Sequence, residues 1–382
     1  MMGENWRPKF DQKIVHRELG IIGGDLHCNA VRICGFDIDR LMTASEDALS
    51  QGLEVWLSPE MWDRSQDETV EYIAKAAERA EGLRQRWPGR LVFSVGSELT
   101  LFSEGMVEGK GVFDRMSRPS FWGDITAGRH NGPLNAYLSN LNKAARKVFR
   151  GPLTYFSVPF EAVDWRTFDF VGVDHYRDAR VKDAYGQMAS NYSWYGKPVI
   201  IGEFGCCTFR GAEMLGANGF MITFGMMEEL LGPNHKIPKM FMHMAHVPPR
   251  SDGHYIRDEG LQARELFDQL RVLDAAGVDG AFVFTFVSPT NPYRPDPRYD
   301  TDMASFSLVK SFPEAEAVEQ FRRQTVRQAG EMLGVDLTPD VLSGFSGPTG
   351  EHGATYQDMP WEPKESFRAV ASYYAEHQDR VF

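Results

Sequence analysis

Leu91-Val-Phe-Ser-Val-Gly-Ser-Glu-Leu-Thr100 and Lys197-Pro-Val-Ile-Ile-Gly-Glu-Phe-Gly205 decide how this chain folds. In each, a short run of apolar and β-branched residues leads to a glutamate, Glu98 in the first and Glu203 in the second. Runs of this kind mark strands buried on both faces of a parallel sheet. A carboxylate at the C-terminal end of such a strand points to the mouth of the sheet, where α/β enzymes keep their chemistry. One glutamate in that position reads as a loop cap or an arginine partner. Two suggest a general acid and a nucleophile.

Outward from these runs, strand-like and helix-like segments alternate. Asn29-Ala-Val-Arg-Ile-Cys-Gly35, Leu53-Glu-Val-Trp-Leu-Ser-Pro59, Leu153-Thr-Tyr-Phe-Ser-Val158, Asp169-Phe-Val-Gly-Val-Asp-His-Tyr176 and Val278-Asp-Gly-Ala-Phe-Val-Phe-Thr-Phe286 read as further strands. Helices are expected over about 37–51, 65–87, 134–149, 180–195 and 256–276, the second opened by capping residues at Ser65. Residues 103–132, rich in Gly, Ser and aromatics, read as a loop. Regular βα alternation implies parallel strands with crossover helices. The spacing is too even for two domains, so 1–382 is read as a single (β/α)8 barrel. An eighth strand should precede Asn29. His16-Arg-Glu-Leu-Gly-Ile-Ile22 supplies a helix, but residues 1–12 are polar and contain Pro8. The first strand is therefore short, irregular or missing, and an open edge there must be covered by the chain itself or by another subunit.

Composition sets the outer bounds. The 382 residues, 42% of them hydrophobic, are enough to bury a large core. A formal charge of −12 and a pI near 5.4 argue against nucleic-acid and anionic-membrane partners, which need a basic patch. The N-terminus lacks the apolar region of a signal peptide, and no apolar stretch reaches the roughly 18 residues a spanning helix needs. Cys28, Cys34, Cys206 and Cys207 suit a reducing compartment, and no spacing matches a zinc site. A cytoplasmic location is expected.

Two segments read as additions to the scaffold. An insertion at about 212–250 carries Gly219-Phe-Met-Ile-Thr-Phe-Gly-Met-Met and Lys239-Met-Phe-Met-His-Met-Ala-His246. Its Met and Phe density marks a core or a contact between subunits, with a lid over the site as the alternative. His243 and His246 raise a soft-metal reading, but no metal is expected. A charged helical stretch at about 312–345 packs on the outside, with extra C-terminal helices.

Taken together, these residues resemble the large clan of retaining glycoside hydrolases built on (β/α)8 barrels, bacterial members included. In that clan the acid/base glutamate ends strand four and the nucleophilic glutamate ends strand seven. With Asn29–Gly35 as strand two, Glu98 falls on strand four and Glu203 on strand seven. The likeness covers about residues 14–300. It implies that Arg32 stands for the strand-two arginine beside the nucleophile, and that His175 and Tyr176 line the sugar subsite. Where many clan members carry Asn before the acid/base glutamate, this chain has Ser97, which suggests a different contact at the sugar 2-hydroxyl. Strand eight ends in Phe284-Thr-Phe286 in place of a Trp platform, making Phe286 an apolar wall for the sugar.

The chemistry explains the resemblance. Cleavage through an oxocarbenium-like state needs one carboxylic acid and one carboxylate, about 5–5.5 Å apart for direct attack and net retention. Arg32 beside Glu203 keeps that group ionised, and a hydroxyl from Tyr176 orients it. Glu98, beside Leu99 and Phe102, is expected to stay protonated long enough to serve the leaving oxygen. Such a double displacement requires no cofactor. Each supporting residue has a structural alternative: a barrel salt bridge for Arg32, a core aromatic for Tyr176, a buried imidazole for His175.

Trp62 and Glu60, at the strand-three end, are candidates for an outer subsite, while Trp56 reads as core. Asp300, Asp302 and Arg298 sit in a loop facing the mouth, and Asp174 either orients His175 or points into the barrel wall. The expected ligand is a small glycoside or oligosaccharide, cleaved or transferred. Homo-oligomers through the insertion or the open edge are a further expectation. The alternatives are a non-hydrolytic sugar-binding or scaffold barrel, and an eliminase or cyclase of specialised metabolism using Glu203 as base.

Overall fold

Seven parallel strands follow one another across a single sheet in chain order: β1 (Ala30–Gly35), β2 (Glu54–Pro59), β3 (Leu91–Ser97), β4 (Leu153–Ser157), β5 (Val171–Asp174), β6 (Val199–Phe204) and β7 (Gly280–Val283). In this computed structural model the described residues are 7, 9–231, 247–312, 350 and 352–377. The connecting helices are α1 (Gln12–Gly24), α2 (Ile38–Ser50), α3 (Gln66–Arg86), α4 (Asn131–Val148), α5 (Tyr185–Asn191), α6 (Glu259–Ala275) and α7 (Glu365–His377). The β4–β5 crossover has a single 3-10 turn, Trp165–Thr167, in place of a helix.

The sheet curls nearly into a barrel. Trp56, Val92, Phe156, Ile200, Ala30, Phe170 and Phe282, from strands all around it, pack into one interior cluster. Trp56 is thus core, as its apolar run implies. Gly202 allows this packing, because a Cβ there would come within 2.5 Å of Asp174 Oδ1 and press into the Phe156 ring. A second layer of apolar side chains lies between strands and helices, Val171 and Val173 among them.

Strands β1 and β7 are not paired with each other, and among the described residues no strand precedes α1. Among the described residues this is the (β/α)8 barrel with its first strand short or missing. Ile21 and Leu26 join Phe204, Leu308, Val309 and Trp361 in one cluster, so the chain packs its own segments around β6 and the ends beyond it. Val309–Ser311 (β8) pairs with Trp361–Pro363 (β9) in a small antiparallel ribbon. The backbone of Leu308 donates to the carbonyls of Thr285 and Phe286, just beyond β7.

Local signals account for the helix starts. Asp37 accepts from the amides of Asp39 and Arg40 at the head of α2, and Ser65 closes a capping box with Glu68 on α3. Such caps contribute about 1 kcal/mol each. Other expectations need correction. The stretch 103–132 contains helices Gly111–Ser117 and Pro119–Thr126, the second led by Pro119 at its first position. The helix expected over 180–195 is broken into α5 between two 3-10 turns. The insertion begins with 3-10 turns and a helix at Ile222–Leu231. His243, His246 and nearly all of 312–345 lie outside the described residues. All four cysteines are free, Cys206 and Cys207 being buried. No described helix is long and apolar enough to cross a membrane.

Candidate active site

Glu98 follows the last residue of β3, and Glu203 is the penultimate residue of β6. Both strands carry a register irregularity at this end, between Ser94 and Ser97 and between Ile201 and Phe204. Glu98 takes a left-handed conformation, φ 49° and ψ 41°. Such a conformation is uncommon outside glycine, and in ordered proteins it gathers at functional positions. Carboxylate oxygens of Glu98, Glu203 and Asp174 lie within 4.8 Å of one another. Asp174 ends β5.

Arg32, from β1, ties two of this trio, Glu203 and Asp174, together. Its Nη1 donates to Glu203 Oε1 at 2.9 Å, to Asp174 Oδ1 at 3.0 Å and to the Gly202 carbonyl at 3.1 Å. Its Nη2 lies 3.7 Å from Glu60 Oε1, and the guanidinium sits over the Phe156 ring, 3.9 Å from the centroid. Three acids therefore contact one buried cation, with Glu98 beside two of them. Acidic groups so spaced are a possible cation site, but the guanidinium already supplies positive charge at the centre of this one.

The hydrogen bonds divide the acids by role. Glu203 receives the Arg32 guanidinium on one oxygen and the Tyr176 hydroxyl on the other, at 2.8 Å. Two donors, one of them cationic, occupy and aim both of its oxygens. Glu98 is different: burial, then the charges of Asp174, Glu203 and Glu161, hold its carboxyl well above the usual range. Burial also raises Asp174 well above its usual range, against the pull of Arg32, and pushes Glu60 up to about 7.

Several expectations about side chains change here. Ser97 reaches the site, but its hydroxyl donates to Asp174 Oδ2 at 2.8 Å. His175 points away from the glutamates. Its ring stacks on Tyr185 at 4.7 Å between the barrel and its helices, and neither ring nitrogen has a hydrogen-bond partner among the described residues. Burial pushes that imidazole down to about 4. Phe286 likewise leaves the site, packing edge-on against Trp361 and beside Phe367. The rings beside Tyr176 are instead Phe284 and Phe306.

Trp62 stacks on Phe102 at 4.3 Å, and Phe102 closes the short turn that begins after Glu98. Asp300 and Asp302 are committed to Arg257, and Asp302 also to Lys364; Arg298 pairs with Asp296. Asp174 is the central residue whose place sequence reasoning left open. Strand alternation was the available signal: Val171 and Val173 face the helices, so Gly172 and Asp174 must face the interior.

No family model matches the chain, and no curated protein is significantly similar to it. Solved structures are similar in fold. A GH113 β-mannanase, AaManA from Alicyclobacillus acidocaldarius in complex with ManMIm, is 12% identical with a TM-score of 0.50, covering 98% of this chain and 95% of its own. A GH5_18 enzyme from Streptomyces cattleya, in complex with Manb1-4GlcNAc, is 12% identical with a TM-score of 0.47, covering 100% of this chain and 81% of its own. A GH2 β-galacturonidase from Eisenbergiella tayi is 13% identical with a TM-score of 0.46, covering 96% of this chain and 48% of its own. The chain thus has the (β/α)8-barrel fold that glycoside hydrolases also use.

Proposed function

We propose that this protein is a retaining glycosidase, and that the carboxylates of Glu98 and Glu203, within 4.8 Å at the mouth of the barrel, are its acid/base and its nucleophile. That spacing supports direct attack over attack by an interposed water, which needs a wider gap. In the first step a Glu203 oxygen bonds to the anomeric carbon while the Glu98 proton passes to the departing glycosidic oxygen. In the second, the deprotonated Glu98 takes a proton from water, whose oxygen displaces Glu203 and regenerates both groups. A sugar hydroxyl in place of water makes the same enzyme a transglycosylase.

The environments support this division of labour. Arg32 and Tyr176 hold Glu203 as an aligned anion, and the burial of Glu98 favours the proton it must donate. With the Ser97 hydroxyl committed to Asp174, the Asp174 carboxyl is the better candidate for a sugar hydroxyl, a bond that strengthens as the ring flattens. Phe284 and Phe306 stand beside Tyr176 as an apolar wall, and Trp62 stacked on Phe102 offers an aromatic surface on the Glu98 side.

A panel of nitrophenyl glycosides, starting with β-mannosides because of the AaManA likeness in fold, tests the activity. An activated 2-fluoro sugar should label Glu203 covalently. Glu203→Ala should abolish turnover, and Glu98→Ala should be partly rescued by azide on substrates with good leaving groups. Equal activity in all three proteins overturns the reading. Protein that binds sugar yet takes no label indicates the scaffold alternative.

A further inference from the structure

We propose that Glu161 and Tyr155 form a positioning pair for Glu98, a buried brace that fixes the left-handed turn presenting its carboxyl. The inference rests on the acid/base role proposed for Glu98.

The brace can be followed atom by atom. Tyr155 is on β4, and Glu161 lies in the loop after it; both are buried. The amide of Leu99, the residue after Glu98, donates to the Tyr155 hydroxyl at 2.8 Å. That hydroxyl in turn donates a hydrogen bond to Glu161 Oε2, also at 2.8 Å. Glu161 Oε1 accepts from the amide of Thr100 at 3.0 Å, and Oε2 accepts again from the amide of Val158 at 3.2 Å. The amide of Glu98 itself donates to the Phe156 carbonyl on β4 at 2.8 Å. Three successive amides, at 98, 99 and 100, are thus anchored to β4 or its loop.

The arrangement solves a local problem. A short turn starting at a residue with positive φ leaves amides without intrahelical partners, and here they are buried. Water cannot reach them easily, so side chains must. Glu161 accepts three hydrogen bonds and donates none, the pattern of a carboxylate ion, and these bonds work against the burial that raises its carboxyl above the usual range. A buried negative charge behind Glu98 also opposes the ionisation of Glu98, adding to the burial that already favours its protonated form. The other charged or titratable groups facing Glu98 are Arg32 on β1, Asp174 on β5, Tyr176 just after β5 and Glu203 on β6. Arg32 alone among them favours the ionised form. One brace therefore sets both the direction and the protonation of the Glu98 carboxyl.

Two variants separate a positioning role from a merely structural one. Glu161→Gln removes the charge and keeps the shape, whereas Tyr155→Phe keeps the charge and releases the Leu99 amide. In protein carrying carboxyl-labelled glutamate, the Glu98 signal, assigned by its loss in Glu98→Gln, is followed by NMR across pH. In folded Glu161→Gln its midpoint should move to lower pH, and the alkaline limb of kcat/KM should move with it. Tyr155→Phe should lower kcat by roughly tenfold through misplacement of the acid, with KM little changed. An unmoved Glu98 midpoint in folded Glu161→Gln, or a wild-type kcat in folded Tyr155→Phe, overturns the inference. If the midpoint moves but wild-type protein cleaves no glycoside, the brace stands and the glycosidase reading fails.

Discussion

The Ser97 hydroxyl donates to Asp174 Oδ2 across 2.8 Å, tying the end of β3 to the end of β5 beside the two glutamates. The bond occupies the hydroxyl of the residue before Glu98, which a sugar could otherwise have used. It also fixes a third carboxyl within reach of both Glu98 and Glu203. In a site with four acids and a single guanidinium, each acid raises the cost of ionising its neighbours.

Asp174→Asn should therefore do two things. It removes a carboxyl from the Arg32 cluster while preserving hydrogen-bonding shape, so kcat/KM should fall by roughly 10²-fold as a transition-state contact is lost. Glu98 should also give up its proton more readily, since Asp174 is the strongest of the neighbouring charges that hold it protonated. The alkaline limb of the pH profile should then move down. A full pH–rate profile checks both, and an unmoved limb with full activity would exclude Asp174 from the site.

What could be read from the sequence, and what could not, separates along physical lines. Strand runs such as Leu91–Ser97 and Val199–Phe204 carry their own burial signal, so the strand count and the positions of Glu98 and Glu203 followed from them. Side-chain direction past a strand end does not. His175 lies one residue beyond Asp174, which faces the site, and one residue is enough to turn a side chain to the other face; Phe286 lies two residues beyond Phe284, past the end of β7, where strand alternation no longer sets direction. Asp174 and Phe284 face inward in their place. The gap before β1 among the described residues was legible in the sequence, but its cover was not, because Trp361 and Leu26 are brought together only by tertiary packing. The helices within 103–132 were hidden by glycines that read as loop.

Glu60 should make stability fall as pH rises. Its folded value of about 7 stands above the ordinary 4.5, raised by burial, so folding takes up a proton between these values. The stabilisation is complete below 4.5 and is lost as pH climbs through about 7, an effect on the order of 3 kcal/mol. Glu60→Gln should flatten that slope and gain on wild type at pH 8. Urea unfolding at pH 5 and pH 8 measures it, and an identical slope in the variant would show that Glu60 titrates as a free carboxyl.

His175 should act in the opposite sense over much of the same range. Its imidazole is pushed down to about 4 from 6.5 by burial, so the unfolded chain binds the extra proton. The stabilisation is present above 6.5 and disappears as pH drops toward 4, again on the order of 3 kcal/mol. His175→Phe keeps the stacking on Tyr185 and removes the titrating group. The variant should hold its Tm between pH 7 and pH 5 better than wild type. Glycosidase activity should survive, because the ring faces the helices and not the glutamates; a complete loss of turnover in folded His175→Phe would place the imidazole back in the site.

Lys364 is fully buried, and its ammonium reaches Asp302 Oδ2 and Thr208 Oγ1, each at 2.9 Å, and the hydroxyls of Ser305 and Ser307 at 3.3 Å. It joins the segment after β9 to the segment that continues from β6 beyond Glu203. Arg257 completes the group, 2.9 Å from the same Asp302 oxygen. Removing one partner of a buried pair strands the other, so Lys364→Met should cost about 3–5 kcal/mol. Asp302→Asn alone should cost a similar amount by leaving two cations underpaired. Because both changes break the same contact, the double variant should lose much less than the sum of the two. Urea denaturation of the two single variants and the double measures that coupling, and strict additivity would mean that the two charges do not act as a pair.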